Sequence, residues 1–371
     1  MNKIFEKGGK LYWLHSTVDA FETFLHVPGT VTRKGSHVRD AIDLKRLLIL
    51  VVIAAAPAAL FGMWNIGYQH GLAMGQTGVH ILEYFWFGFL RVLPLYLVSY
   101  IVGLGIEFAS SQIRGEEVSE GYLVSGFFIP LIVPVDIPLW MLAVAVAFAV
   151  IFGKEVFGGT GMNIWNPALL TRAFLFFSYP NYMSGSDCWI AFKKGETAVA
   201  DAFTGATPLA LDGPAQYGTG FWDLFIGTVP GSVGETSVIA ILLGAILLLW
   251  TGIASWKIMC GSIAGALLVG WIGNIAGITD IPFYMQLLYG GFAFGTVFMA
   301  TDPVTSCQTE CGKWIYGILI GMLCITVRLF NPGYAEGMML AILLMNTFAP
   351  LIDHVVTSVH VSRRFKNLKT A

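Results

Sequence analysis

Apolar runs dominate this chain, and their lengths set its architecture. A helix rises 1.5 Å per residue, so about 20 apolar residues cross the roughly 30 Å hydrocarbon core of a bilayer. Runs approaching or exceeding that length fall at 46–64, 82–107, 121–135, 137–153 and 165–179, then at 237–254, 257–278, 283–300, 314–330 and 335–352. The pattern predicts an all-α, polytopic membrane protein with about ten transmembrane helices. The third and fifth runs are short for a full crossing, which points to tilt, a break or re-entry. Such geometry is tolerated where protein or a bound group, rather than lipid, surrounds the backbone.

The polar intervals fix orientation. Basic residues collect on the cytoplasmic side of membrane proteins, and here they cluster at both ends. Lys3, Lys7, Lys10, Arg33, Lys34, Arg39, Lys45 and Arg46 precede or open the first run, and Arg363, Arg364, Lys366 and Lys369 follow the last. Both termini are therefore expected in the cytoplasm, which requires an even number of spans. The loops agree: residues 65–81 hold no Lys or Arg, whereas Arg114, Lys154, Lys257 and Lys313 fall in loops placed inside. The organisation reads as a basic arm (1–45), a first membrane half (46–179), a long outer loop (180–236), a second membrane half (237–353) and a tail (354–371). The arm has no apolar h-region, so the first span is expected to direct insertion. DIPLWM at 136–141 and DIPFYM at 280–285 each introduce a span, an echo that is either chance or a trace of internal duplication, with a site at the repeat interface.

Composition narrows the functional classes. Hydrophobic residues make up 56% and charged residues 12% of the chain, with mean hydropathy +0.71. Soluble domains carry about twice that charged fraction. A net charge of -2 leaves no concentrated basic face for nucleic acid. Cys188, Cys260, Cys307, Cys311 and Cys324 are scattered; Cys307 and Cys311 have the spacing of one helical turn but lack the further ligands of a metal centre, and reduced thiols are expected. His37, His80 and His354 are isolated. There is no GxGxxG after a strand, no phosphate-binding loop and no nucleophilic triad, so no nucleotide site or hydrolytic centre is expected on this chain. The aromatic residues, eleven of them Trp, suit either ring stacking on a cofactor or the belts that mark membrane interfaces.

The most informative polar stretch is DAFTGATP at 201–208 in the outer loop. Gly205 permits close backbone approach, and Pro208 biases Thr207 toward an extended conformation, so the Thr207 hydroxyl is presented on a tight turn. Read locally, this is either a surface turn or an acceptor site. Asp-x-x-Ser/Thr-Gly-Ala-Thr resembles the motif on which a flavin transferase esterifies FMN, through its phosphate, to the final threonine. KEVFGGTG (154–161), NPAL (166–169), RAFLFF (172–177), PGSVGE (230–235), TDP (301–303) and NPGYAEG (331–337) follow in order around it. Together they resemble the B subunits of sodium-translocating NADH:quinone oxidoreductases, from about His37 to Val355.

That resemblance implies a membrane subunit of a multi-subunit complex in the bacterial cytoplasmic (inner) membrane, with FMN on Thr207, and Asp201, Thr204, Gly205 and Ala206 completing the motif. It also implies noncovalent riboflavin within the bundle, a quinone site near Gly103 and Glu107, and a share of the sodium path. Family members often have adjacent glycines where this chain has Gly103-Leu104, so the quinone pocket is expected to differ in shape. Glu107 is either a snorkelling residue at a helix end or part of the quinone and ion path. Asp302 and Asp353 lie at inner span ends, where they either bind sodium through hard oxygen ligands or serve as helix-end charges. Asn163 and Asn166 either hydrogen-bond an isoalloxazine edge or cap a helix. Arg172, one turn into the fifth span, needs a partner: a flavin, or a carboxylate such as Glu155 or Glu235. Pumping one charge against about 150 mV costs roughly 3.5 kcal/mol, equivalent to about 75 mV of a two-electron drop, so a modest redox step suffices. Two rivals stay open, the related membrane subunit of an Rnf-type ferredoxin:NAD oxidoreductase and a flavin-free, repeat-built channel or transporter.

Overall fold

The computed structural model of the protein describes residues 18, 32, 34–36, 38, 44–75, 80–115, 118, 121–183, 189–192, 207–209, 220–331 and 336–370. Asp201, Thr204, Gly205, Ala206, His37, Cys188 and most of the basic N-terminal arm lie outside the described residues.

Every apolar run corresponds to an element. In the first half these are α1 (Leu44–Ala73), α2 (Ile81–Arg114), α3 (Tyr122–Ile132), α4 (Leu139–Gly153) and α5 (Pro167–Ser178). In the second half they are α6 (Val238–Trp250), α7 (Trp256–Ile275), a discontinuous segment, α8 (Glu310–Phe330) and α9 (Met338–Thr370). Among the described residues six helices are long and apolar enough to cross a membrane, and no strand occurs. The third and fifth elements are short, as their runs predicted, with 11 and 12 residues, and α6 has 13.

The eighth run departs from expectation. It forms a 3-10 turn at Met285–Leu287, one α turn at Phe292–Phe294 and a π-helix at Gly295–Met299. From Phe294 to Ala300 every residue is buried, Phe298 and Met299 among them, so protein rather than lipid surrounds the irregular backbone there. The last run extends well past 352, as one helix that continues to Thr370.

Packing repeats between the halves. In the first, α2 lies on α4, α4 on α5, and short α3 touches α1, α2 and α5; in the second, α7 lies on α8, α8 on α9, and the discontinuous segment touches α6, α7 and α9. α1 and α6 join the two halves. The tightest pair is α7 with α8, where Gly261 and Gly265 face Gly317 and Gly321 and a Cβ at Gly317 would lie 2.6 Å from the Ile258 carbonyl oxygen. Small residues four apart on both helices let the backbones meet, which is how helices associate without help from the hydrophobic effect.

Candidate functional site

The buried polar residues divide between two ends of the bundle. α2 passes from Arg91, paired with Asp136 at 3.7 Å, to Glu107 and Arg114. α9 starts beside Glu336, passes Asp353 and ends in the basic tail. From Glu336 to Asp353 is about 25 Å along a helix, so the two clusters are separated by most of a bilayer.

At the end away from the tail, Arg172 of α5 is 4% exposed and is gripped by two carboxylates. Its Nη1 donates to Glu235 Oε1 at 2.5 Å, and its Nη2 to Glu336. The Ser232 hydroxyl donates to the other oxygen of Glu235. Burial pushes the Glu235 carboxyl up to about 7; Glu336 adds to the rise, while Arg172 and Ser232 oppose it. A cleft with about 360 Å³ of atom-free space, continuous with solvent, has Thr207, Pro208, Ser232, Glu235, Gly290 and Glu336 among its walls. Thr207 is half-buried at this cleft. Gly290 has φ +56°, and a Cβ there would lie 3.2 Å from Leu209 Cδ2 and 3.4 Å from Glu336 Oε1, so glycine is what lets the 207–209 segment approach. A Cβ at Gly291 would lie 2.5 Å from Glu235 Oε1. Arg328 holds the same turn through the carbonyls of Gln286 and Tyr289. Across the cleft, Asn65 and Gln69 of α1 donate to the carbonyls of Val229 and Thr228 at 2.9 and 3.0 Å, which fixes the loop that carries Ser232 and Glu235.

At the tail end, Glu107 is fully buried, and Lys154 Nζ lies 2.5 Å from its Oε1. This excludes a snorkelling role for Glu107. Lys154 follows α4 directly, held by its backbone N–H to Val150, and its Nζ lies 6.0 Å from the centre of the Tyr122 ring. Any Cβ at Gly103 would overlap that ring, so Gly103 seats Tyr122, whose hydroxyl donates to the Ser99 carbonyl at 3.0 Å. The next residue, Glu155, pairs with Arg114 at 3.5 Å; it is therefore not the partner of Arg172, and the carboxylate in its place is Glu336.

Lys154 also lines a second, mostly apolar cleft of about 840 Å³ of atom-free space, together with Ser125, Thr160, Asn163, Asn166 and Asp302. Apolar walls with a few converging polar groups are the usual pattern of small-molecule sites. Asn166 caps α5, accepting from the N–H groups of Ala168 and Leu169, and its amide donates to Asp302 Oδ2 at 3.2 Å. Asn163 donates to the Trp165 carbonyl at 3.1 Å. Burial pushes the Asp302 carboxyl up, against bonds from Val304 N–H, Thr305 and Asn166.

Asp353 stands apart from these groups. It accepts from the N–H groups of Gln308 and Thr309 at 2.7 and 3.0 Å and from the Thr309 hydroxyl, and so anchors the start of α8. Among the described residues no set of three His, Cys, Asp or Glu is placed to hold a metal ion. Cys260, Cys307, Cys311 and Cys324 are free thiols, and burial pushes that of Cys307 up to about 12.

Comparison with known proteins adds to this geometry. The model of the "NQR2, RnfD, RnfE family" matches residues 31–362. The chain is 44% identical to the B subunit of the Na(+)-translocating NADH-quinone reductase of Ectopseudomonas mendocina, over 97% of this chain and 96% of the relative. It is 42% identical to the same-named protein of Stutzerimonas stutzeri and 43% identical to that of Azotobacter vinelandii, each over 97% of this chain and 96% of the relative.

Proposed function

Since the chain belongs to the NQR2, RnfD, RnfE family, we propose that it is the multi-pass membrane component of a sodium-translocating NADH:quinone reductase and carries flavin at both ends of its bundle. The family description also covers the Rnf-type proteins, but the relatives similar over nearly their full lengths are named for the quinone reductase, and this favours the first reading. The other subunits of the complex would supply electrons from NADH, and quinone would receive them.

The observation that carries the flavin reading is the placement of Thr207 at the mouth of a cleft lined by Gly290, Ser232 and the carboxylates that hold Arg172. Its hydroxyl would carry FMN through a phosphate ester, made by a flavin transferase. Gly290 lets the 207–209 segment that carries this hydroxyl pack closely against the turn. Noncovalent riboflavin is assigned to the cleft at the other end, whose mostly apolar lining includes Asn163, Asn166 and Lys154. When bound, these flavins supply electron transfer. The chain's own residues orient the rings, exclude water and set the charge nearby. Glu107, beside Gly103 and Tyr122, remains the candidate for the quinone and ion path, and Asp302 is the candidate for a further sodium step.

The test is fluorescence of the denatured protein in a gel. Wild type should give a flavin band and Thr207→Ala a dark one, with the noncovalent flavin still extractable from the assembled complex. A band of undiminished intensity in Thr207→Ala would contradict the assignment.

A further inference from the structure

A third cleft lies at the tail end, walled by the start of α7 and the start of α8. It holds about 920 Å³ of atom-free space, open to solvent, and Ser255, Lys257, Ser306, Glu310 and Lys313 are among its lining residues. We propose that this cleft binds the headgroup of an anionic phospholipid from the tail-side leaflet. The proposal does not depend on flavin at either end of the bundle.

The charges come first. Glu310 joins two lysines: Lys313 Nζ lies 2.8 Å from its Oε1, and Lys257 Nζ contacts its Oε2. Two ammonium groups against one carboxylate leave a net positive charge in the cleft. The lysine side chains are only 25% and 23% exposed, whereas that of Glu310 is 64% exposed. The cations are therefore held in place, and the carboxylate is the group that can turn out to water and yield its position to a phosphodiester. Two further donors wait there. Ser306 is 8% exposed; its carbonyl accepts from Gln308, but among the described residues its hydroxyl has no hydrogen-bond partner, and a buried hydroxyl without one is costly. Ser255, at the N-cap of α7, makes no side-chain capping bond, so the first N–H groups of that helix stay unpaired at the positive end of its dipole. The start of α8 is different, because Asp353 already holds the N–H groups of Gln308 and Thr309.

The surroundings select a lipid over a free anion. Trp250 ends α6 and Trp256 opens α7, both exposed, and Trp256 meets Trp314 edge-on at 5.5 Å. Tryptophans in this position mark the boundary between membrane and water. Farther along α8, Ile315 and Leu319 are exposed on one stripe, which offers acyl chains an apolar surface beside the polar cleft. The basic tail marks this end as the cytoplasmic side, where basic pockets between membrane helices take anionic headgroups. A zwitterionic lipid would bring its own cation against Lys257 and Lys313.

The experiment uses the purified complex in detergent and a phosphatidylglycerol with a photoreactive group beside its glycerol. After irradiation, peptide mass spectrometry should place cross-links within 255–257 and 306–313. Unlabelled phosphatidylglycerol should compete about tenfold better than phosphatidylcholine. Lys257→Gln should lower labelling about fivefold, and Glu310→Gln, which removes the carboxylate from the anion's place, should raise it by about the same factor. A purely structural link between α7 and α8 would make labelling fall in both variants. Arg363→Gln with Arg364→Gln, in the tail, should leave labelling unchanged. No cross-link within 255–257 or 306–313, as where a partner subunit covers the cleft, would overturn the proposal. So would equal competition by phosphatidylcholine, or a fall in an assembled Glu310→Gln complex. Competition by inorganic phosphate at the concentration where phosphatidylglycerol competes would assign the cleft to a free anion and overturn the lipid. If neither variant assembles, the mapping and competition in wild type decide.

Discussion

Arg172 shows how much a single buried charge organises. One guanidinium faces two carboxylates, so the cluster would carry a net negative charge if all three groups were ionised, and burial together with Glu336 pushes the Glu235 carboxyl up against the pull of Arg172. With its carboxyl pushed up to about 7, Glu235 should take up a proton as pH falls through neutrality. Because the folded pKa lies above the ordinary value of 4.5, this group's contribution to stability is fully present below about 4.5 and is lost as pH rises through about 7. Infrared spectra should show a protonated-carboxyl band that fades through neutral pH and is missing in Glu235→Gln. Arg172→Met removes the cation from both carboxylates and should destabilise the protein by about 3–5 kcal/mol, read as a lower unfolding temperature and poorer flavin loading. Part of this cluster was legible in the sequence. An arginine inside an apolar run demands a partner, and Glu235, just ahead of the next span, was a reasonable one. Glu336 was not legible as the second partner, because it lies 164 residues away and no local pattern ties it to α5. Lys154 and Glu107 escaped pairing for the same reason.

Among elements, what hydropathy could reveal was length, and length is a local property: each apolar run became a helix or a chain of short helical turns. The break in the eighth run was not visible, because FAFGTVFMA suits a continuous helix, and only its enclosure by α6, α7 and α9 makes a π-helix tolerable there. The Gly290–Gly291 pair at its head serves the cleft rather than the helix. Gly290→Ala should cost about 1–2 kcal/mol from the left-handed backbone alone and should crowd Leu209, so covalent flavin incorporation should fall, as measured by gel fluorescence against protein loading. Asp353 belongs to the same scale. Its three acceptor contacts at Gln308 and Thr309 make it an anchor for α8, and Asp353→Ala should cost about 0.5–2 kcal/mol, with faster amide hydrogen exchange at Gln308, Thr309 and Gly312. The sequence offered a helix-end charge or a sodium ligand for Asp353; it lies inside α9, and its contacts are with the start of α8.

For the whole molecule, the account places an Arg172 cluster with Thr207 at one end and a Glu107–Lys154 cluster at the other, with the basic tail of α9 on the second side. Orientation follows from that tail: a fluorescent reporter fused after residue 371 should mature in the cytoplasm, and a periplasmic reporter inserted within 210–219 should be active. Flavins at both ends would let electrons cross the membrane between them while an ion moves past the same helices, and everything in that picture depends on the bond at Thr207. The most direct measurement is mass spectrometry of the peptide spanning 201–208 from the natively assembled, flavin-replete complex. The account predicts the mass of FMN added at Thr207, and an unmodified peptide would contradict it.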